Sequence, residues 1–240
     1  MRNYDAVFFD AANTLLYPYP SVGAVYAEVA ARYGVTTTAD AVQTAFRGAW
    51  AEAQAVTDPV RYGVGEPDGR RFWHALVHAT FAQIALPDDF EGFFDELYWL
   101  FSKPTVWRLY PECLTVLQTL RRRGYIVGVI SNWDIRLLDL LHGLGVMECV
   151  QHVSISAVVG WEKPHGNIFA HALDAVGATP ARAVHVGDSL HADVHGARQA
   201  GMQPLWLRRD GEARHDGAPD EGPVIRDLNG VLDWLAKHDG

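Results

Sequence analysis

The stretch Ala6-Val-Phe-Phe-Asp10-Ala-Ala-Asn-Thr14-Leu-Leu16 sets four apolar residues against an aspartate and a short polar turn. Four residues are too few for a helix, but they suffice for a strand buried on both faces. Three further runs have the same form: Tyr125 to Ile130, Val153 to Val159 with two serines interleaved, and Ala183 to Val186. Each ends in a polar residue or glycine and is bordered by helical periodicity. Cys113, Leu114, Leu117 and Leu120 make an apolar stripe that stops at Gly124. Ile168, Phe169, Ala172, Leu173 and Val176 make another that stops at Gly177, and glycine past a helix is a common stop because it accepts left-handed backbone. Strands alternating with helices after residue 110 predict an α/β fold with a parallel sheet covered on both faces. Met202 to Leu207 adds a strand interrupted near its start by Pro204, and Val231 to Ala236 a closing helix.

Between Tyr17 and Ser102 the texture changes to Ala, Val and aromatics at helical spacing, with no convincing strand. Val22, Val25, Tyr26, Val29 and Ala30 predict a helix ending at Gly34. Thr37 or Thr38 caps the next, which carries Val42, Ala45, Phe46, Ala49 and Trp50. Pro59 to Gly69 reads as a loop, after which Phe72, Trp73, Leu76, Val77 and Phe81 resume a helix. This is an inserted helical unit. Asp210 to Pro223 reads as a surface loop.

Composition narrows the function classes. The 240 residues carry 20 basic against 29 acidic side chains, a formal charge of -9, with no long basic run to neutralise a phosphate backbone. Nucleic acid and anionic membrane are not expected partners. Cys113 and Cys149 form no CxxC spacing, so neither a disulfide framework nor a cysteine zinc site is expected. No apolar stretch has signal-peptide or bilayer-spanning length, so a soluble cytoplasmic protein is expected.

Taken singly, the polar residues after these strands read as turns and caps. Asp10, Ser131 with Asn132, Trp133 and Asp134, and Gly187-Asp188-Ser189 each follow a strand. Asp134 leads into a helical stretch carrying Ile135, Leu138 and Leu141; Asp193 lies five residues past Asp188. Taken together, the carboxyl ends of neighbouring parallel strands face one side, about 4.8 Å apart, at the edge where open α/β sheets bind ligands. Gathering Asp10, Asp188 and Asp193 there is electrostatically unfavourable unless a cation joins them. A hard divalent ion with oxygen ligands, most plausibly Mg²⁺, resolves the repulsion. Lys163 and the Ser131 hydroxyl could then hold phosphoryl oxygens while the Asp10 carboxylate attacks in line.

With these residues in view the chain resembles the haloacid dehalogenase superfamily of hydrolases. Asp10 and Thr14 in FFDAANTLL are similar to its first motif, Ser131 in VGVISNWD to its second, Lys163 in GWEKPHGNIF to its third, and Asp188 and Asp193 in HVGDSLHAD to its acidic fourth. The resemblance spans essentially the whole chain. It implies a Rossmann-like doubly wound core of residues 1–16 and 103–240 with an α-helical cap of residues 17–102. It implies Asp10 and Lys163 as catalytic residues, and Thr14, Ser131, Asn132 and Lys163 around the phosphate. It also implies Mg²⁺ on Asp10, the Ala12 carbonyl and Asp188, with Asp193 in support. The expected partner is a small phosphorylated molecule, and the expected assembly a monomer or homodimer.

Two departures shape the functional expectation. Where phosphatases of that family carry a second Asp that protonates the leaving group, this chain has Ala12, whose methyl group can do neither acid nor base work; Asn13 replaces the usual Gly. Residues 1–102 contain no Lys, which argues against the Schiff-base chemistry of the related phosphonoacetaldehyde hydrolases. The pattern looks closest to haloacid-dehalogenase-like domain proteins that also lack the second Asp. The leading expectation is a Mg²⁺-dependent phosphatase working through phospho-Asp10. The alternatives are a phosphate- or partner-binding protein without appreciable turnover, and a metal-free 2-haloacid dehalogenase. The GDSL string at Gly187–Leu190 is set aside as an esterase motif because no Asp-x-x-His follows Gly211. His191 and His195 are expected on a solvated helix surface. Trp133 and Trp161 are candidates to line a pocket.

Overall fold

A computed structural model describes residues 2–55, 66–209 and 222–239. The apolar run that opens the chain forms β1 (Ala6–Phe9), followed by β2 (Leu16–Pro18) and the helices α1 (Val22–Arg32), α2 (Ala39–Ala55), α3 (Glu66–Ala82) and α4 (Phe90–Leu100). β3 (Trp107–Leu109) then returns antiparallel to β2. Strands and helices alternate from there: α5 (Cys113–Arg122), β4 (Ile126–Ser131), α6 (Arg136–Gly143), β5 (His152–Ile155), α7 (Ser156–Val159), α8 (Gly166–Val176) and β6 (Ala183–Gly187). A π-type turn over Leu190–His195 leads into α9 (Gly196–Gln199), β7 (Gln203–Leu207), β8 (Val224–Ile225) and α10 (Asn229–His238).

Six strands form one parallel sheet in the order β5-β4-β1-β6-β7-β8. β1 lies between β4 and β6, so the chain winds outward in both directions from it, and this reversal is the switch point at which α/β sheets open a crevice. Side chains of β1 alternate between the two faces as strand geometry requires: Val7 and Phe9 join one core cluster, Ala6 and Phe8 the other. On β4, Gly128 pairs with Phe8, and a Cβ there would stand 2.7 Å from the Phe8 ring. The helical insert has its own core, built on Val42, Val77, Phe81, Phe93, Phe94 and Leu97.

Several expectations need correction. The run Val153 to Val159 is not one strand, because β5 ends at Ile155 and Ser156–Val159 curl into the single turn α7. The Ser156 hydroxyl accepts from the Trp133 amide at 3.0 Å and donates to its carbonyl at 3.1 Å, which turns the chain off the sheet edge. Short apolar runs do not reveal this, since periodicity cannot separate a buried strand from a helical turn. α6 buries Leu137, Leu140 and Leu141, while Ile135 is exposed and Leu138 only partly buried. A strand does exist next to the insert: β2 includes Tyr17 and Pro18, and three residues are too few to show alternation. β3 and β8 are likewise too short to announce themselves.

Of the loop expected over Pro59 to Gly69, residues 59–65 lie outside the described residues, whereas Glu66–Gly69 open α3. Gly69 serves close approach there, since a Cβ would stand 2.8 Å from the Asp134 Cβ. Most of the loop expected at Asp210 to Pro223 also lies outside the described residues. No helix among the described residues is long and apolar enough to cross a membrane. Cys113 and Cys149 are buried free thiols, and burial pushes that of Cys113 up to about 12.

Candidate active site

The crevice beside β1 is furnished by four chain segments. Asp10 prolongs β1, its amide donating to the Val186 carbonyl at 2.9 Å. Beyond it the backbone folds sharply: the Leu15 amide donates to the Ala11 carbonyl at 2.8 Å, and Asn13 takes a left-handed φ of 56° that most side chains disfavour. Ser131 ends β4. Asn132 then clasps the main chain of Lys163, accepting from its amide at 2.7 Å and donating to its carbonyl at 2.9 Å. Asp188 follows β6, and Asp193 sits in the π-type turn, where one carboxylate oxygen accepts from the Ser189 amide at 3.0 Å.

These segments bring one continuous polar network together. Lys163 is buried, and its Nζ donates to Asp10 Oδ1 and to Asp193 Oδ1, each at 2.6 Å. Ser131 Oγ donates to Asp10 Oδ1 at 3.1 Å. His185, buried in the middle of β6, places Nε2 2.9 Å from Asp193 Oδ1, while its Nδ1 has no hydrogen-bond partner among the described residues. Oxygen atoms of Asp10, Asp188 and Asp193 lie within 4.8 Å of one another.

Electrostatics divides the three carboxyls. Burial disfavours the charge of Asp193, yet the Lys163 ammonium and His185 hold it well below the ordinary carboxylate range. Burial raises Asp10, with Lys163 opposing and Asp193 reinforcing the rise. Asp188 has no ion pair with a cation among the described residues, so burial and then the charges of Asp10 and Asp193, opposed by the more distant Lys163, push it up to about 7. Burial works against the Lys163 charge, but Asp10 and Asp193 more than offset it and hold its pKa above the usual value. Three carboxylates against one ammonium leave two negative charges uncompensated when all are ionised. An all-oxygen donor set with that charge fits a hard divalent cation.

Not every expected site residue stands where the motif reading put it. Thr14 is fully buried and does not line the cavity, and its hydroxyl has no hydrogen-bond partner among the described residues. Asn132 lines the cavity, but its amide group is engaged with the Lys163 backbone, which makes it an anchor for that lysine. Ala12 lines the cavity and also packs against the core cluster beneath it. Trp133 is buried and borders the cavity, whereas Trp161 stacks on His165 with ring centroids 4.0 Å apart and does not line it. His191 is exposed and lines the cavity, and its ring meets that of His195 edge-on at 6.4 Å. Ser189 Oγ accepts from the Ala192 amide at 3.1 Å, the role of a helix cap rather than of an esterase nucleophile.

Sequence reasoning missed His185, Arg209 and Arg136, and gave Asp134 no role beyond leading into a helix. His185 was visible only as a histidine inside an otherwise apolar strand. Arg209, just past β7, donates to the Thr14 carbonyl at 2.8 Å and the Asn13 carbonyl at 3.3 Å while pairing with Glu112 at 2.7 Å, so it ties down the loop after Asp10. No local pattern signals a contact across 195 residues. Asp134 and Arg136 join the core to the helical insert: Arg136 Nη2 donates to Asp134 Oδ2 at 2.6 Å and Nη1 to the Tyr98 carbonyl at 2.7 Å, and Trp73 Nε1 donates to Asp134 Oδ2 at 2.9 Å. Between insert and core lies a cavity of about 1380 Å³ with the acidic cluster in its wall.

Comparison with known proteins agrees with this architecture. Residues 4–201 match the haloacid dehalogenase-like hydrolase family. The chain is 34% identical over 235 residues to haloacid dehalogenase-like hydrolase domain-containing protein 3 of Bos taurus, covering 95% of this chain and 93% of that protein. It is 32% identical over 142 residues to a glyceraldehyde 3-phosphate phosphatase of Pyrococcus furiosus, covering 58% of this chain and 59% of the relative. A Bacillus subtilis hydrolase solved with magnesium bound superposes with a TM-score of 0.75 at 16% identity, over 98% of this chain and 99% of that one, a likeness of fold.

Proposed function

Because the chain belongs to the haloacid dehalogenase-like hydrolase family, we propose that it is a Mg²⁺-dependent phosphatase of a small phosphorylated molecule, with Asp10 as the nucleophile. One observation carries the reading: the Asp10 carboxylate, bridged to Lys163, stands within 4.8 Å of the Asp188 and Asp193 oxygens in the wall of a large cavity. The relatives named as phosphatases support it.

Asp10 Oδ attacks phosphorus, the new O–P bond forms as the ester O–P bond breaks, and the alcohol leaves. Water then cleaves the acyl phosphate, releasing phosphate and restoring Asp10. Lys163 Nζ, held between two carboxylates, and Ser131 Oγ supply donors beside the reacting oxygen. Asp10, the Ala12 carbonyl and Asp188 would hold Mg²⁺, with Asp193 in support, and the ion when bound neutralises charge on the phosphoryl group. Asn132 positions Lys163; His185 positions Asp193. The Ala12 methyl offers no proton, so the leaving oxygen takes one from water.

That methyl group is also the observation behind a second reading, a phosphate- or partner-binding protein with little turnover. A metal-free dehalogenase has no need of clustered carboxylates, so Asp188 and Asp193 favour the phosphatase. The test is phosphate release from p-nitrophenyl phosphate and a metabolite panel with and without Mg²⁺. Turnover should need the ion and fall at least about 10³-fold in Asp10→Asn. Unchanged turnover in that variant would eliminate Asp10 as nucleophile.

A further inference from the structure

Away from the candidate active site, two histidines and a serine meet at the edge of the sheet. β5 is an edge strand, and its His152 sets Nε2 2.9 Å from the Ser154 hydroxyl oxygen, two residues on and so on the same face. From α8, His171 brings Nδ1 to the same oxygen at 2.9 Å. The two imidazole centroids are 5.4 Å apart. Ser154 is fully buried, His152 half-buried and His171 exposed, so protons reach the group from solvent while its central hydroxyl cannot turn to water.

That arrangement limits how many protons the group holds. A hydroxyl carries one hydrogen, so Ser154 donates to one imidazole nitrogen and accepts from the N–H of the other. The accepting ring must be neutral, whereas the donating ring tolerates a charge. Once both rings are protonated, both facing nitrogens carry hydrogens. The buried hydroxyl then loses its acceptor, and two cations stand side by side. Burial first, and then the charge of His171, holds His152 below its ordinary value of 6.5. Of the elements packed around the group, β4 and α7 carry no ionisable side chain, α8 carries Asp174 besides His171, and α9, packed on α8, carries Arg198. Among the described residues the charge that acts on His152 is that of His171.

The group also joins the two ends of the segment that carries Lys163: β5 runs into α7, Lys163 follows, and α8 leaves it. We propose that His152, Ser154 and His171 form an acid-sensitive clasp, which holds α8 to the sheet edge near neutrality and releases it when both imidazoles are protonated, loosening the segment on which Lys163 rides. Above 6.5 His152 is neutral in the folded and the unfolded chain alike, and the clasp contributes fully. As pH falls below 6.5 the unfolded chain takes the proton first, and the contribution is lost as pH falls through the lower folded value. The inference concerns the scaffold and stands or falls separately from the phosphatase reading.

Hydrogen exchange read by mass spectrometry, corrected for the intrinsic rate at each pH, tests it on the full chain. Between pH 7.5 and 5.5, wild-type peptides spanning residues 156–173 should lose about three- to tenfold in protection relative to peptides of β1, tenfold being the most that one pH unit below 6.5 allows. In His171→Gln the new amide can donate or accept, so a proton on His152 no longer breaks the group, and the loss should shrink to less than about twofold. No loss in the wild type, or an equal loss in the variant, would overturn the clasp. An NMR titration of the wild-type imidazole protons needs no variant: His152 should titrate below 6.5, and titration at 6.5 or above would overturn it as well.

Discussion

Ala12 lines the cavity at the position where the family resemblance implies a carboxylic acid in phosphatases, so substitution there isolates the proton relay from the rest of the site. Ala12→Asp should raise phosphatase turnover by about 10²–10⁴-fold, the usual range for general acid–base catalysis. No gain in steady-state assays would mean that another group already delivers the proton. Gly187 makes the opposite point, that a residue without a side chain can shape a site. A Cβ there would fall 2.1 Å from the Asp193 Cγ, so Gly187→Ala must displace the carboxylate that holds Lys163. We expect a loss of about 1–3 kcal/mol in urea denaturation together with weaker Mg²⁺ binding by calorimetry. Wild-type affinity for the ion in a folded variant would show that Asp193 tolerates the shift. Asp10, Lys163 and Asp188 were legible as residues in the sequence, because each follows a strand or precedes a helix, and Asp193 by its spacing of five from Asp188. Their partners His185 and Arg209 were not, because neither lies in a pattern that points to the site.

Among the elements, the loop joining β4 to α6 does two jobs. Its first residues reach the site through Ser131 and Asn132, and its next ones grip the helical insert through Asp134 and Arg136. The Asp134 side chain is fully buried and that of Arg136 is 11% exposed, so removing the carboxylate strands a guanidinium away from water. Asp134→Ala should destabilise the protein by about 3–5 kcal/mol, the scale for breaking a buried ion pair from one side. Trp73→Phe removes one hydrogen bond to the same carboxylate and should lose only about 1.5–3 kcal/mol. Equal losses in denaturant titrations would mean that the Arg136 guanidinium finds other partners. Helices α1, α2 and α3 of the insert could be read from their apolar spacing whereas α4 was not, and Gly34 and Gly177 mark helix ends as the pattern required. The turn α7 could not be read, because what bends the chain at Ser156 is a pair of hydrogen bonds to Trp133 from a separate strand connection.

Over the whole molecule, folding gathers negative charge at one point, and the response to metal should report it. Asp188 is pushed up to about 7 from an ordinary 3.8, so the native state favours its neutral form. In metal-free protein the unfavourable ionisation of Asp188 grows as pH rises from its unfolded value and is fully developed above about 7; a bound cation needs the ionised form. Mg²⁺ should therefore raise Tm over an EDTA control more at pH 8 than at pH 6. The rise should be roughly 5–10 °C at an ion concentration near 100 Kd. An equal or larger rise at pH 6 in differential scanning calorimetry would contradict that charge state. The alternation of short apolar runs with helical stripes determined a parallel α/β core with a helical insert, and the polar residues after each strand named the candidates for chemistry, because periodicity and strand ends are local properties. Only the tertiary structure decided that β1 lies between β4 and β6, that Asn132 supports Lys163, that Thr14 is withdrawn from the cavity, and that aromatic residues of the insert line it. Those facts depend on which side chains meet across long chain separations, and local spacing carries no information about such meetings.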